Sequence, residues 1–385
     1  MRRVQRRQLL VVSAWYPDDR WPWRGVFVRE QVRALAAAGH EVTVMVPERA
    51  GYAKAVIGDA RIDEESGVTI LRCATRWAGL RGASTAAMAV TLRVALARLL
   101  RYGRRPEIIH AHVFSAGALA VPLAHAVGAP LVVSEHYSGI ARGTVSDWDA
   151  LVARWTYGRA DLVTPVSHDL RARIEGRGWG RHFEVVPNGV DTTIFRPGPA
   201  HPQRDEPRLL LVGGLTPVKG VPVALAAVAG APRRIRLDVV GDGPARVEYE
   251  ALSQALEVDD RVHFHGDQPR EHVAELMRAA DLYLLTSEWE NLPTVVLESL
   301  CTGLPVVASD VGGVAEAVGP DDGLLVERGN PGLFSIAIDT ALRRAWDRAA
   351  IARRAAARFG LDRIRARWED IYWRLITQRR RGARS

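Results

Sequence analysis

The chain has 385 residues, 52 Lys+Arg against 44 Asp+Glu for a formal net charge of +8, and two cysteines. That length supports two or three domains whose cores need no disulfide or metal staple. Cys73 and Cys301 lie far apart, which excludes a disulfide scaffold and a cysteine-based zinc or iron–sulfur site. The charge is uneven: residues 341–385 hold 14 arginines against four acids, a surplus of +10, and the opening MRRVQRR adds +4. The stretch 8–340 is therefore left at −6. A mildly acidic body with two basic ends is not a uniformly basic nucleic-acid binder. Such ends suit an anionic membrane surface, at about 1 kcal/mol per basic residue, or are simply solvated. Lys54 and Lys219 are the only lysines.

LLVVSA (9–14) reads as a first strand; WYPDD follows too soon for a signal peptide. VFVREQVRALAAAG continues as a helix with Val28, Val32, Leu35 and Ala36 on one face, and Gly39 sits where a helix end favours a left-handed residue. VTVMVP returns as a strand and completes a βαβ unit. EIIHAH, LVVSEH, DLVTPVS and FEVVPNG are expected as further strands with helices between them. Val113 to Val133 lacks Asp, Glu, Lys and Arg, but Gly117, Pro122 and the GAP at 128–130 divide it into a helix and a strand, not a membrane span. RPGPAHPQRDEP (196–207) is the clearest linker. A second series then runs LLLVGGL (209–215), IRLDVVGDG, VHFHG, DLYLLTS, LPVVAS and GLLVE.

The expected division is a first domain over 1–195, the linker 196–207, a second domain over 208–360, and a closing helix with a basic tail, 361–385, crossing back to the first domain. Alternating β and α elements predict the α/β class: two doubly wound, Rossmann-like domains with mostly parallel sheets. Ligands in such sheets bind beyond the carboxyl ends of strands. With two domains, the expected site is the cleft they face across.

LLLVGGLTPVKG (209–220) ends a strand in a glycine turn, with Lys219 just before Gly220 and a helix. Free amides at a helix start beside a lysine form a phosphate-binding geometry. The P-loop pattern is absent, and an ordinary strand–loop–helix with a surface lysine is the competing reading. VVGDGPAR (239–246) places Arg246 where GxGxxG needs its third glycine, so it reads as a turn.

TSEWENLPTVVLESLCTGLPVVASDVGG (286–313) is the densest segment. Glu290 closes a strand end, Asn291 is expected to cap the helix carrying Glu298, and the amides after Glu290 are open to a ligand. Two such carboxylates suit sugar or ribose hydroxyls; a capping acid and a surface glutamate are the bland alternative. His110, His112 and His136 fall at or near strand ends. HAH lacks an adjacent third metal ligand, and His136 is expected to face the cleft. DWD (147–149) imitates a metal-binding DxD, yet Ser146 with Asp149 reads as a capping box. The 11 tryptophans are either sugar-stacking faces or core.

In order, these motifs resemble the retaining glycosyltransferases of GT-B architecture, family four. YPDDRWPWRGVFVREQVRALAAAGHEV is similar to that family's glycine loop and GHEV strand entry, and EIIHAH and SEH occupy the expected places. VPNGVDTTIFRP (186–197) is close to the domain-junction signature. VGGLTPVKG, VGDGP and E-x7-E followed by GLPVVASDVGG then match, so the resemblance spans Leu9 to about Trp373. It implies a nucleotide-diphosphate sugar in the second domain, with Lys219, Gly213 and Gly214 at the diphosphate and Glu298 on ribose hydroxyls. Glu290 and the segment Asn291, Leu292, Pro293 and Thr294 would hold donor-sugar hydroxyls or phosphate oxygens. Gly25 would let the first-domain loop approach the diphosphate, and His136 would lie near the anomeric centre. Catalytic roles fall on His136, Glu290 and Lys219; no cofactor and no metal are expected. Members often carry Arg in a GR pair where this chain has Gly214, and Val218 supplies no charge.

The expected function is retaining transfer of a hexosyl group to a hydroxyl acceptor (a sugar, glycolipid or small molecule) in polysaccharide or glycolipid biosynthesis. The expected place is the cytoplasm, at the inner face of the membrane if the basic ends bind it, with no nucleic-acid partner. A GT-B epimerase or phosphorylase is one alternative, and the pyridoxal type is disfavoured by having two lysines. A non-catalytic nucleotide-sugar-binding protein or polysaccharide scaffold is the other, kept open by Gly214.

Overall fold

A computed structural model describes residues 6–49, 59–75, 81–199 and 205–382. Lys54, Arg2, Arg3, Arg384 and residues 200–204 of the linker lie outside the described residues. The chain forms two compact units. One takes in residues up to Val166, Arg171–Val186 and Ile364–Ser385; the other takes in Ser167–Leu170 and Pro187–Arg363. The division at 186/187 comes earlier than the boundary at 195 expected from the linker.

The first unit runs β1 (Gln8–Ser13), α1 (Val26–Ala37), β2 (Glu41–Arg49), β3 (Asp59–Glu65), β4 (Val68–Thr75), α2 (Arg81–Arg101), β5 (Ile108–His112), α3 (Phe114–Val127), β6 (Leu131–Glu135), α4 (Ser138–Arg142), α5 (Asp147–Tyr157) and β7 (Leu162–Pro165), then α6 (His168–Glu175), which straddles the division. Its sheet has the order β3-β4-β2-β1-β5-β6-β7, parallel except for the edge pair β3 and β4. β1 is buried along nearly its whole length, as a strand covered on both faces must be. Val28, Val32 and Leu35 of α1 pack on Leu9, Val11 and Val44, and Gly39 has φ 96°.

FEVVPNG is not a strand, contrary to expectation. Val163 N–H donates to His182 O at 2.9 Å and Val186 N–H to Pro165 O at 3.0 Å, so the segment hangs on the edge of β7 through an isolated bridge. Pro187 then removes the next donor and ends the pairing.

The second unit runs β8 (Arg208–Val212), α7 (Val221–Ala229), β9 (Arg236–Val240), α8 (Arg246–Ala255), β10 (Val262–Gly266), α9 (Arg270–Ala279), β11 (Leu282–Leu285), α10 (Thr294–Cys301), β12 (Val306–Ser309), α11 (Val314–Ala317), β13 (Gly323–Val326), α12 (Pro331–Arg343) and α13 (Arg348–Phe359). Its six strands are all parallel, in the order β10-β9-β8-β11-β12-β13. The last helix, α14 (Leu361–Gly382), sends Ile364, Trp368, Ile371 and Tyr372 into the core of the first unit.

In each sheet the strand order reverses next to the first strand of the series, between β1 and β5 and between β8 and β11. Loops leaving the carboxyl ends there diverge and open a crevice. Among the described residues no helix is long and apolar enough to cross a membrane.

Candidate active site

In the first unit the crevice is bordered by the loop after β1 and by the ends of β5 and β6. Gly25 has φ 70°, and a Cβ there would lie 2.0 Å from the Trp15 carbonyl oxygen. Only glycine fits, and what it permits is a close approach of the loop to its own backbone. Beside this loop lies a cavity of about 600 Å³ lined by Tyr16, Arg20, Trp21, Arg24, Glu48 and Arg72 among others. Trp21 and Trp23 are exposed, edge to face with centroids 5.4 Å apart.

The three histidines form a column. His110 stacks on His112 at 4.5 Å, His112 on His136 at 5.3 Å, and Phe27 closes on His136 at 4.5 Å. His136 Nε2 lies 3.1 Å from His112 Nδ1. Burial pushes His112 down to about 3 and holds His110 and His136 well below the usual imidazole range, so the column is neutral.

Sequence reasoning missed Glu135, which organises these strand ends. One carboxylate oxygen accepts from the His136 and Tyr137 amides at 2.8 and 2.7 Å; the other accepts from the Phe114 amide at 2.9 Å and from Tyr157 OH at 2.5 Å. Burial raises its carboxyl despite these four donors. The neighbouring Val113 is held at φ 73°, a costly conformation for a β-branched residue, with its N–H on Ser134 O at 2.7 Å.

In the second unit the loops after β8 and β9 are welded together. Cβ atoms at Gly241 and Gly243 would fall 2.2 and 2.4 Å from the carbonyl oxygens of Gly213 and Leu215. Lys219 ends a short 3-10 turn (Pro217–Lys219), and its stem lies along Gly213, where a Cβ would sit 3.4 Å from the lysine Cδ. Gly220, at φ 61°, then lets the chain pass Thr286 O, to which a Cβ would be 2.0 Å, before α7 begins. Lys219 Nζ meets Glu290 Oε1 at 2.7 Å, and Ser287 Oγ donates to the same oxygen at 2.8 Å. The β8 and β11 loops thus bring these two predicted residues together.

Asn291 does not cap α10. Pro293 occupies the N-cap position without a side-chain hydrogen bond, because it stands between Asn291 and the first helical residue. Asn291 instead gives its carbonyl oxygen to Gly313 N–H at 2.6 Å, Leu292 is buried, and Thr294 Oγ1 accepts from Asn188 Nδ2 at 3.2 Å. Glu298 is 8% exposed, so it is no surface acid. Arg270, at the start of α9 and lying over the Phe195 ring at 5.1 Å, reaches its Oε1 at 3.2 Å. A buried carboxylate signals that a partner exists, but nothing singles out Arg270 among so many arginines. Gly214 has only ordinary clearance: a Cβ added there would lie 3.7 Å from Asp242 O, so space does not demand glycine. In the first unit DWD opens α5: Ser146 Oγ accepts from Asp149 N–H at 3.2 Å and donates to its Oδ2 at 2.7 Å.

Residues 25–194 match the family described as Glycosyltransferase Family 4, and residues 196–358 match Glycosyl transferases group 1. The D-inositol 3-phosphate glycosyltransferase of Acidothermus cellulolyticus is 32% identical over 77% of this chain and 73% of its own length. The chain is a family 4 glycosyltransferase. This glycosyltransferase is also 28% identical to the glycogen synthase of Mycobacterium tuberculosis, over 81% of the chain and 80% of that protein. Its fold is that of the GT-B enzymes: sucrose-phosphate synthase from Thermosynechococcus elongatus superposes with a TM-score of 0.77 at 24% identity, covering 97% of this chain and all of that one.

Proposed function

We propose that this glycosyltransferase moves a hexosyl group from a nucleotide-diphosphate sugar to a hydroxyl acceptor with retention of anomeric configuration, in polysaccharide or glycolipid biosynthesis. Lys219 carries the reading: an ammonium at the switch point of a parallel sheet, on a loop that leads directly into α7. As the nucleoside diphosphate departs, charge develops on its phosphate oxygens, and a fixed cation with helix-start amides is complementary to that charge. Glu290 holds the ammonium in place until the diphosphate takes it. The carboxylate and the amides near Thr294 are then available to sugar hydroxyls. This chemistry calls for no metal, so turnover is expected to survive EDTA. The acceptor is placed in the first unit's cavity, where indole and guanidinium groups suit a polyhydroxylated molecule.

The direct test is nucleoside diphosphate release with UDP-, GDP- and ADP-sugars, followed by NMR of the product's anomeric proton. A product of inverted configuration overturns retention; binding of a donor without release under any acceptor supports the scaffold alternative.

Glu298, paired with Arg270 at 3.2 Å, is the carboxylate offered to ribose hydroxyls. Glu298→Ala is expected to weaken nucleoside diphosphate binding about 10–100-fold, the scale of hydrogen bonds to a charged group. Titration calorimetry showing an unchanged Kd would move the ribose contact elsewhere. Because Gly214 is not sterically required, Gly214→Arg should fold with an unaltered Tm and raise kcat about tenfold by adding one charge-assisted bond to the leaving group; a fall in kcat would show that this loop excludes the guanidinium.

We place the enzyme in the cytoplasm. Its basic ends present less free charge to a membrane than their arginine count implies. Arg374 and Arg367 pair with Glu184 at 2.5 and 3.4 Å, Arg379 with Asp161 at 3.6 Å, and Arg7 and Arg380 both with Glu107 at 2.8 and 2.7 Å.

A further inference from the structure

The helices α1 and α14 share a core with one face of the first sheet, and no residue of α2, α3 or α5 belongs to it. Those three pack side by side in that order, α2 and α3 also against the strands, and so form the layer on the opposite face. α3 and α5 are in close contact: a Cβ at Gly117 would fall 2.5 Å from Thr156 Cγ2. The side chains α5 buries are Ala153, Thr156 and Tyr157. Its larger apolar groups point the other way. Trp148, Leu151 and Trp155, spaced i, i+3 and i+7 on one face, are 45%, 59% and 39% exposed. A helix of a soluble domain turns such a stripe toward its core, and one left outside marks a contact surface.

Charge decides what that surface takes. Residues 67–106, which include α2, hold eight arginines and no Asp or Glu. On the outer face of α2, Val90 and Val94 alternate with Arg93 and Arg101, all four exposed. α3 has no Asp, Glu, Lys or Arg, and its half-buried Ala118, Val121 and Pro122 carry the apolar strip across. Beyond it, Arg154 is exposed on α5, and Arg159 lies over the Trp155 ring at 4.5 Å. The acids of α5 are Asp147 and Asp149, and Asp149 is engaged by Ser146. Arg93, Arg98, Arg101 and Arg154 form no ion pair with a described residue. The arginines of the closing helix differ, since Glu184, Asp161 and Glu107 hold them. Unpaired guanidinium groups beside exposed indoles match an interface of phosphates with acyl chains beneath.

We propose that the outer face of the α2–α3–α5 layer is a docking surface for an anionic lipid bilayer. Trp148, Leu151 and Trp155 sit at the boundary of headgroups and acyl chains, and the α2 arginines sit on lipid phosphates. The surface belongs to the first unit alone, and the inference does not use the roles given to Lys219, Glu290 or His136.

The test is co-sedimentation of the full chain with phosphatidylcholine vesicles, with and without phosphatidylglycerol. Binding is expected to the anionic vesicles and to weaken with salt, which screens exposed charges. Leu151→Glu changes an exposed position and should lower the partition coefficient at least about tenfold. Arg93→Gln and Arg101→Gln should each lower it about fivefold. Arg379→Gln with Arg380→Gln should leave it within about twofold, because their charge is already matched. Brominated lipid should quench the native indole fluorescence more than that of Trp148→Phe with Trp155→Phe. Equal binding to both vesicle types, or unchanged binding by Leu151→Glu at native Tm, overturns the proposal; so does unchanged binding in the arginine variants. A dimer in solution that Leu151→Glu abolishes, from a chain that ignores vesicles, also overturns it and gives the face to a second copy.

Discussion

Lys219→Ala is expected to lower kcat by about 10²–10³, the loss seen when one preorganised donor to a developing oxyanion is removed. The surroundings of Lys219 make the loss more than that of one cation. Glu290, 11% exposed at its side chain, keeps the Ser287 hydroxyl on its Oε1 but loses the compensating charge once the ammonium is gone, and its own charge then faces the diphosphate. Adding Glu290→Gln to Lys219→Ala should therefore recover part of the lost rate, although Glu290→Gln alone is damaging. That sign of non-additivity is what a shared site produces. Steady-state transfer with a working donor measures it, and near-normal turnover by Lys219→Ala would take the lysine out of the mechanism.

Acidification is expected to destabilise the first unit through its histidine column. His112 titrates near 6.5 when unfolded and at about 3 when folded, so below pH 6.5 the unfolded state binds the extra proton and stability falls with pH. At pH 5 this costs about 2 kcal/mol from His112 alone, and the loss continues until pH approaches the folded value. His110 and His136 act in the same direction. Glu135 acts oppositely, because its raised carboxyl binds a proton more readily in the folded state. The histidines outnumber it, so Tm should fall by about 4–8 °C between pH 6.5 and 5, taking about 2–4 °C per kcal/mol. Differential scanning fluorimetry of the native chain and of His112→Asn should show a steep and a flatter profile; a flat native profile would contradict the buried neutral column.

The second sheet was readable because each of its apolar runs is short and ends in a glycine or polar turn, which leaves one period and one direction to choose. β3, with its charges at an exposed edge, carries no such signal, and FEVVPNG imitates a strand through its paired valines until Pro187 is weighed. Lys219 and Glu290 stand out by chemistry and position. Their 2.7 Å contact does not, since it depends on β8 and β11 being neighbours in the sheet although far apart in the chain. Glu135 looks like a polar strand end between Ser134 and His136; its role comes from Phe114 and Tyr157, which only folding brings to it. Pro293 shows the limit of local rules, because a capping residue type two positions early caps nothing.

The first unit takes part of its core from the end of the chain: Ile364, Trp368, Ile371, Tyr372, Leu375 and Ile376 of α14 are all buried in it. The first unit's core is complete only once α14 has been made. All six strands of the second unit lie upstream of residue 364, whereas the core that β1, β2 and β5 share with α1 lacks the α14 side chains until then. Those six side chains are each worth about 1.5–3 kcal/mol when buried, comparable in sum with the whole stability of a domain. The first unit is therefore expected to finish folding only after residues 364–376 have been made, and a nascent chain stalled before residue 364 is expected to engage a chaperone more than the full chain does.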